Sequence, residues 1–383
     1  MFELEDVRGK KANIKVVGVG GGGGNVVNNM IASNISAVDL IAINTDAQVL
    51  ETSLATQKVQ IGVSVTRGLG AGSKPEIGRQ SAIEDRLQIA EALEGADMVF
   101  VTAGMGGGTG TGASPVVAGI ARELGALVVG VVTKPFFYEG RQRMLNAEEG
   151  IKELAKNVDT LIVIPNDRIR LVVEMGTPLL ESFSIANNVL KYAVQGIADL
   201  IVVTGLINVD FADVKTIMDK GGRSVMGMGI GKGEGRAREA SKKAISNPLL
   251  ESSSIEGAKR ILINVTGGLD LTLGDAEEAA SIIYDSADKE ANIIFGAVID
   301  PDIRDEIRVT IIAAGFDSEG EKKKPELEAR KWTVPNINLK GSDRVLAKTL
   351  TDFPIEMPVD SMPFEEPLDV PTFLRKTHRQ MEL

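Results

Sequence analysis

A nine-residue stretch in the first third of the chain has the residue types that bind phosphate. It reads Gly104-Met-Gly-Gly-Gly-Thr-Gly-Thr-Gly112 and contains six glycines. A helical pattern follows it, and a helix that starts after glycines exposes unpaired N–H groups at the positive end of its dipole. Without Cβ atoms in the way, a polyphosphate reaches these donors, and Thr109 and Thr111 add hydroxyls. A turn that only packs a helix on a strand needs one or two glycines, so we interpret residues 104–112 as a phosphate cradle.

The composition limits the chemistry that is available elsewhere. The chain has 383 residues, no cysteine and one histidine, His378. This excludes cysteine and histidine nucleophiles, zinc sites and histidine bases, which leaves carboxylates, hydroxyls and bound cations. A net charge of −11 argues against nucleic acid as the main partner. No apolar run approaches the roughly 20 residues of a membrane span and no signal peptide precedes Ile14, so we expect a soluble cytoplasmic protein without membrane insertion.

Strand and helix patterns alternate through the first half of the chain. This alternation, with nearly all-apolar strands, predicts an α/β fold with a Rossmann-like parallel sheet and helices on both faces. Ligands of such sheets bind at the carboxyl ends of the strands, where four polar or glycine-rich loops fall: 20–25, 44–46, 70–72 and 106–112. The predicted strands are 14–19, 40–45, 97–103, 126–133 and 160–164, and the predicted helices are 26–35, 75–93, 114–124 and 140–155.

The second half of the chain predicts a long central helix and a second, smaller α/β domain. An apolar stripe that includes Leu180 and Phe183 runs from 179 to 203, which predicts a buried helix between two domains. From 317 onward lie half of the 14 prolines but only two of the 42 glycines, which predicts a disordered tail. We therefore divide the chain into a flexible N-terminus (1–11), a nucleotide-binding domain (12–177), a central helix (178–204), a second domain (205–316), a disordered linker (317–366) and a partner-binding peptide (367–383).

The second domain and the long first-domain helix have their own predicted bounds. In the second domain we expect strands at 224–230, 260–265, 291–298 and 308–314 and helices at 234–246 and 274–287. A short helix is predicted to begin within 208–213 and to end at Lys220. Pro75 is the expected start of the helix at 75–93.

The first glycine-rich loop keeps an alternative open. Residues 18–23 satisfy G-x-G-x-x-G, which in isolation suggests an NAD-dependent oxidoreductase. That alternative leaves the phosphate cradle unexplained. A Walker A loop is excluded, because Gly231-Lys232 lacks both the upstream glycine and the following Ser or Thr.

Two pairs of side chains have a spacing that suits a nucleotide, and each also has a structural explanation. Glu139 and Arg143 stand four apart at a helix start, where they contact ribose and phosphate or form an ordinary i,i+4 ion pair, which the spacing alone favours. Phe183 and Asn187 share one face of the long helix. A ring stacked on a base with an amide reading its edge is a sound purine site, and Phe183 as plain core is equally compatible with the pattern.

Two acids beyond the long helix are candidates for hydrolysis. Asp210 and Asp213, beside Asn208, are able to polarise a water for attack on phosphate, although Asp210 by itself is best explained as a helix N-cap. From Asn187 to Thr204 the helix advances 17 residues, or roughly 25 Å at about 1.5 Å per residue. These carboxylates therefore cannot reach a γ-phosphate bound beside their own Asn187. If they act on a nucleotide, it belongs to a neighbouring subunit.

Four segments together resemble one known family. Residues 106–112 are similar to the signature loop of the tubulin type, and residues 18–25, 208–213 and 368–376 are similar to segments of its bacterial FtsZ branch. The likeness covers residues 12–316 and the tail, and the linker resembles nothing in particular. The chain is thereby identified as a member of the tubulin/FtsZ GTPase family.

The resemblance implies a cytoskeletal GTPase that binds GTP and GDP, polymerises head to tail and forms the division ring at mid-cell. It implies Mg²⁺ held through the phosphates with no metal site in the protein, and catalysis in trans by Asn208, Asp210 and Asp213. The tail is expected to bind membrane-tethering and regulatory division proteins through Asp369, Val370, Pro371, Phe373 and Leu374. A nucleotide-gated scaffold without turnover is the alternative. The expected GTP-binding residues are Gly20, Gly21, Gly22, Gly23, Gly24, Asn25, Gly70, Ala71, Gly72, Gly106, Gly107, Gly108, Thr109, Gly110, Thr111, Glu139, Arg143, Asn166, Phe183 and Asn187.

Overall fold

The computed structural model describes residues 12–33, 35, 38–171, 176–202, 205–207, 209–247 and 255–316. The predicted flexible N-terminus, the linker, the partner-binding peptide and Asn208 lie outside these residues. The described part of the chain belongs to one compact unit. Within it, no helix combines the length and apolar character needed to cross a membrane.

The architecture is a ten-stranded sheet in the order β3-β2-β1-β4-β5-β6-β7-β10-β8-β9. The first seven strands in this order are parallel, and β10 runs antiparallel to both β7 and β8. The strands are β1 (Ile14–Val19), β2 (Asp39–Asn44), β3 (Gln57–Gln60), β4 (Met98–Gly104), β5 (Leu127–Lys134), β6 (Thr160–Pro165), β7 (Gly222–Lys232), β8 (Arg260–Gly267), β9 (Asn292–Ile299) and β10 (Glu306–Ala314).

Eleven helices are described around this sheet. They are α1 (Gly20–Ala32), α2 (Ala47–Glu51), α3 (Val63–Thr66), α4 (Pro75–Glu84), α5 (Arg86–Leu93), α6 (Thr109–Glu123), α7 (Arg141–Ala155), α8 (Leu179–Val202), α9 (Phe211–Met218), α10 (Arg236–Ile245) and α11 (Leu273–Ser286). Short 3₁₀ turns follow β5 at Phe137–Glu139 and β6 at Asn166–Leu171.

Helices cover both faces of the parallel part of the sheet, as the apolar strands predicted. Successive residues of a strand point to opposite faces, and β1 shows this directly. Val16 packs in one core with residues of α1 and α8, whereas Val17 packs in a second core with residues of α6 and α7. Every residue of β1 is buried. This confirms the predicted doubly covered sheet.

The long helix α8 joins the two halves of the fold. Its buried side chains, among them Val194 and Ile197, share a core with β5 and with Leu262 and Ile312 of the second half. The predicted apolar stripe is therefore confirmed over most of its length. Its first turn differs, because Leu180 is 84% exposed and Phe183 is 38% exposed. These two apolar residues are therefore not part of the buried core.

The second α/β domain continues the sheet of the first. Strand β7 pairs in parallel with β6 at Thr160–Ile162, which the sequence did not predict. Helix α10 lies very close to β7 because Gly227, Gly229 and Gly231 face it. A Cβ on Gly229 would stand 2.0 Å from the carbonyl oxygen of Ala240. These glycines set the distance between helix and strand.

Several predicted bounds were wrong, and each has a local cause. The single helix predicted over 75–93 is two helices, because the backbone leaves the helical conformation at Asp85, whose carboxylate accepts from the N–H of Gly62 at 2.6 Å. Helices α1 and α6 begin inside the glycine runs rather than after them. Glycine disfavours helix but does not forbid it, and packing decided both starts. Elements β3, α2 and α3 were not predicted, since each is short.

Candidate functional site

The N-termini of α1 and α6 meet at the carboxyl ends of β1 and β4. A Cβ on Gly20 would lie 2.7 Å from the backbone nitrogen of Gly110, and one on Gly22 would lie 3.0 Å from that of Gly104. No side chain caps the first turn of either helix. The first N–H groups of a helix have no partner within it, and they carry the positive end of its dipole. Two such ends in contact create a site for an anion.

The glycines of this site fall into two groups. Gly21, Gly24 and Gly107 face open space, since a Cβ on any of them would meet nothing within 4 Å. Gly108 is different, because its Cβ would stand 2.7 Å from the Cβ of Ala71 and 3.0 Å from the nitrogen of Lys74. A bulky residue at Gly108 would therefore collide with the neighbouring loop, so its substitution is expected to disturb the fold as well as the cradle.

The two cradle threonines have different surroundings. The hydroxyl oxygen of Thr111 accepts from the N–H of Gly106 at 2.7 Å, and its side chain is buried. It holds the cradle in shape. The hydroxyl of Thr109 lies 2.6 Å from that of Thr45, a residue that the sequence analysis placed at the end of a strand and did not name as a site residue. A hydroxyl directly after β2, at the same sheet edge as the cradle, was the signal that could have identified Thr45.

The loops beside the cradle support it from one side. Gly70 and Gly72 have φ values of +83° and +57°, which favour glycine, and Ala71 between them is buried against Gly108. Asp46 accepts from the N–H groups of the first turn of α2, at 3.0 and 3.2 Å. Asp46 is thereby the N-cap of α2.

Glu139 and Arg143 form an ion pair at 2.6 Å beside the cradle. The other oxygen of Glu139 accepts from the N–H of Phe136 at 2.9 Å. The backbone of Arg143 is adjacent to the cradle, because a Cβ on Gly106 would stand 2.8 Å from its carbonyl oxygen. The i,i+4 pair is thus present beside the cradle, and its contact with a ribose or a phosphate stays a prediction. Arg143 keeps about half of its side chain exposed, at 47%.

A buried amide without a partner lies at the end of the next strand. Asn166 follows β6, is 6% exposed, and its Oδ1 accepts no hydrogen bond within the described part of the chain. Burial of an unpaired amide oxygen is costly, so this atom is poised to accept from a ligand donor. The site therefore offers donors for an anion at the cradle and an acceptor for an N–H or O–H group at Asn166.

An aromatic cluster adjoins this position. Phe183 meets the ring of Phe136 edge-on at 5.4 Å, and Phe136 stacks on Tyr138 at 5.0 Å. Asn187 follows Phe183 one turn later on α8 and is half-buried. Burial, together with the carboxylates of Glu139 and Asp167, raises the pKa of Tyr138, so its hydroxyl stays neutral near pH 7. The rings and amides form an apolar wall with polar groups, which suits a base.

The candidate acids lie at the opposite end of the molecule. Asp210 is the N-cap of α9, as the sequence favoured, and accepts from the N–H of Asp213 at 2.8 Å. The far end of α9 is held at the amino end of β6, where the hydroxyl of Thr160 donates to the carbonyl of Met218 at 2.7 Å. Asn166 is at the carboxyl end of the same strand, and six residues of strand span about 20 Å. The structure does not bring these acids together with the cradle.

Protein ligands for a metal are not clustered in this site. Across the ranges that the structure describes, no group of three or more His, Asp or Glu side chains is arranged to hold an ion. Magnesium carried by the nucleotide's own phosphates remains a prediction.

Comparisons with known proteins agree with this geometry. Residues 13–174 match the model of the Tubulin/FtsZ family, GTPase domain, and residues 222–317 match that of the FtsZ family, C-terminal domain. The chain is 46% identical to an FtsZ dimer from M. jannaschii, with a TM-score of 0.78, over 82% of this chain and 91% of that one. The chain belongs to the Tubulin/FtsZ family. Family membership accounts for both halves of the fold. It implies that the nucleotide is GTP or GDP and that the activity is GTP hydrolysis.

Two further solved structures share this family fold. The GDP-bound monomer of CetZ1 from Haloferax volcanii is 25% identical, with a TM-score of 0.69 over 79% of this chain and 93% of that one. The GTPγS-bound protofilament of CetZ2 from the same organism is 22% identical, with a TM-score of 0.67 over 80% and 94%. The second likeness supports the fold alone. The NAD-dependent alternative is overturned by the family match, although the G-x-G-x-x-G pattern at 18–23 does lie against the cradle.

Proposed function

We propose that this family member polymerises head to tail, hydrolyses GTP at the contact between successive subunits, and builds the division ring. The observation that carries the proposal is the separation of two half-sites, the phosphate cradle and the acids Asp210 and Asp213. The cradle lies at the carboxyl end of the parallel strands, whereas α9 is fastened to the amino end of β6 through Thr160 and Met218. A carboxylate of Asp210 or Asp213 that acts on GTP must therefore act on the GTP of a neighbour.

Exposed apolar side chains at both ends support such a contact. Near the cradle, Leu69 is 81% exposed and Phe137 is 63% exposed. At the end that carries α9, Leu206 is 69% exposed and Leu269 is 83% exposed. Single exposed apolar residues are ordinary, but grouped ones mark interaction sites. A surface at one end that binds a different surface at the other end repeats along a filament.

The positions of Leu206 and Leu269 place them on one surface. The N–H of Leu206 donates to the carbonyl of Ala297 in β9 at 3.0 Å. Gly267, two residues before Leu269, pairs with Ile299 of the same strand. The M. jannaschii relative at 46% identity is described as a dimer, which fits self-association of this chain.

Two finer parts of the proposal concern the partners of the C-terminal tail and the location of the protein in the cell. We assign residues 368–376 the role of a docking segment for membrane-tethering and regulatory division proteins, and we place the assembled protein in the cytoplasm at mid-cell. The amphipathic spacing of Val370, Phe373 and Leu374 supports a helix that binds in a groove. No nucleic acid and no direct insertion into a membrane are part of this proposal.

One experiment tests the central claim. Light scattering of the full chain is followed with GTP, with GDP and without nucleotide, while phosphate release is measured in the same samples. We expect scattering to rise with GTP alone and phosphate release per subunit to rise steeply above a threshold protein concentration. Assembly without phosphate release would support the alternative of a nucleotide-gated scaffold. Phosphate release that is strictly proportional to concentration would contradict hydrolysis at the subunit contact.

A further inference from the structure

Thr45 and Thr109 form a buried hydroxyl pair at the edge of the phosphate cradle. Thr45 follows β2 and is 0% exposed, and Thr109 is the first residue of α6 and is 8% exposed. Their oxygens are 2.6 Å apart, and either atom is able to donate. Neither hydroxyl makes another hydrogen bond within the described part of the chain.

The number of protons decides which atom donates. Each hydroxyl has one proton to donate and two lone pairs to accept with. If Thr109 donated to Thr45, the proton of Thr45 would be buried without an acceptor, which is unfavourable. When Thr45 donates to Thr109 instead, the proton without an acceptor belongs to Thr109, which is the less buried of the two residues and the one in the cradle. The proton of Thr109 is then free for an acceptor outside the pair.

The surroundings of Thr45 hold its hydroxyl in one place. Its N–H donates to the side-chain oxygen of Asn44 at 2.9 Å, and its carbonyl accepts from the hydroxyl of Thr66 at 3.3 Å. The single proton of the Thr66 hydroxyl is shared between this contact and a shorter one to the carbonyl of Gly62 at 2.9 Å. The turn after β2 and the short helix α3 therefore brace Thr45 from both sides. A braced donor fixes the direction of the Thr109 hydroxyl before any ligand arrives.

We propose that Thr45 is a positioning residue of the phosphate site, whose hydroxyl donates to Thr109 and thereby directs the Thr109 proton to a phosphate oxygen of a guanine nucleotide. The inference rests on the proposed function for the identity of that anion. Thr45 itself does not touch the nucleotide. Donation from Thr45 also polarises the Thr109 hydroxyl and makes it a stronger donor. The hydroxyl pair therefore strengthens the binding of the phosphates and not that of the nucleoside.

The test uses the full chain and GDP, which avoids assembly. The affinities for GDP and for guanosine are measured by titration for the parent, Thr45→Val, Thr45→Ser, Thr109→Val and the double variant Thr45→Val with Thr109→Val. Valine keeps the shape of threonine and removes the hydroxyl, whereas serine keeps the hydroxyl. We expect Thr45→Val to weaken GDP binding about tenfold, as for loss of one good hydrogen bond, and Thr45→Ser to remain within about twofold of the parent.

Two further results separate positioning from general support of the fold. Guanosine lacks phosphates, so its affinity stays unchanged in Thr45→Val. The double variant binds GDP no more weakly than Thr109→Val alone, because Thr45 acts only through Thr109. Equal GDP affinity of Thr45→Val and the parent, a parallel loss for guanosine, or additive losses in the double variant would each overturn the proposal.

Folding and the proposed function are controlled separately. If Thr45→Val has no cooperative unfolding transition, Thr45→Ala is compared with Thr45→Ser, since both are smaller than threonine and only serine keeps the hydroxyl. Equal GDP affinities of that pair would overturn the inference. A parent chain that binds no guanine nucleotide would overturn the proposed function itself. If the parent binds GDP and the Thr45 variants bind it equally well, only the inference about Thr45 is overturned.

Discussion

The carboxylate of Asp210 accepts a hydrogen bond from the backbone N–H of Asp213 at 2.8 Å, so the first acid is used to begin α9 while the second is left exposed at the surface. Their substitutions are therefore not equivalent. Replacement of Asp210 by alanine removes a helix cap at a cost of about 1 kcal/mol. The side chain of Asp213 makes no hydrogen bond or ion pair within the described residues, which makes it the cleaner probe of chemistry.

Hydrolysis in trans predicts recovery of activity when two inactive variants are mixed. In Gly107→Trp the indole fills the open side of the cradle and blocks GTP, and Asp213→Ala binds GTP but does not cleave it. At a mixed contact, GTP on the Asp213 variant meets an intact acidic loop from the Gly107 variant. We expect phosphate release from the mixture to exceed the sum of the two variants alone. Co-sedimentation establishes that they co-assemble, and a co-assembled mixture without activity would contradict the trans mechanism.

The two kinds of cradle glycine predict opposite effects of substitution. Gly107 faces open space, so Gly107→Leu is expected to weaken GTP binding by at least about a hundredfold without lowering the thermal unfolding midpoint. Gly108 faces Ala71 at a spacing too short for a Cβ, so Gly108→Ala is expected to cost about 1–3 kcal/mol of stability. Circular dichroism melts and nucleotide titrations of the same samples test both. A Gly107→Leu protein that binds GTP normally would remove the cradle assignment.

A buried acid on α8 predicts a pH dependence of stability. Asp199 lines a cavity of about 400 Å³ together with Tyr192, Asp300, Asp302 and Arg308. Burial raises the pKa of Asp199 to about 6; Asp300 adds to this, whereas a hydrogen bond from Gln195 and the charge of Arg308 oppose it. The folded state therefore holds a proton that the unfolded state has lost above pH 3.8, and stability falls as pH rises from about 4 to about 6.

The variant Asp199→Asn removes this titration. Between pH 4.5 and pH 7 the parent is expected to lose about 2 kcal/mol of unfolding free energy through this titration. Asp199→Asn is expected not to show this loss. Urea unfolding at several pH values between 4.5 and 8 measures the difference. Asp302→Asn, a matched substitution at the same cavity, is measured alongside as the control. Identical profiles of unfolding free energy against pH for the parent and Asp199→Asn would refute the assignment of this pH dependence to Asp199.

The C-terminal segment predicts a separation of assembly from recruitment. Deletion of residues 368–383 removes the proposed docking segment and none of the residues that the structure describes. GTP-driven scattering and phosphate release are expected to remain within about twofold of the parent, because the two half-sites are intact. Binding to a membrane-tethering division protein, measured by co-sedimentation with vesicles that carry that protein, is expected to be lost. Loss of assembly itself would show that the segment is structural.

Local patterns in the sequence were sufficient for most of the elements and for the phosphate loops. The apolar strands, the glycine runs at 20–24 and 106–110 and the apolar stripe of α8 depend on neighbours a few residues apart. The periods of strand and helix and the conformational freedom of glycine are properties of that local chain. They predicted a parallel sheet with glycine-rich loops at the carboxyl ends of its strands, and this arrangement of sheet and loops is observed.

Tertiary structure alone decided which of these residues face open space and which face the protein. Gly107 and Gly108 are neighbours of the same type, yet one is open and the other touches Ala71, a residue 37 positions away along the chain. Thr45 and Thr109 are 64 positions apart, and their hydroxyl pair exists only because β2 ends and α6 begins at the same edge of the sheet. Contacts between distant segments depend on how whole elements pack, which no local pattern encodes. The sequence thus determined the elements and the chemistry they carry, whereas packing determined the partner of each polar group.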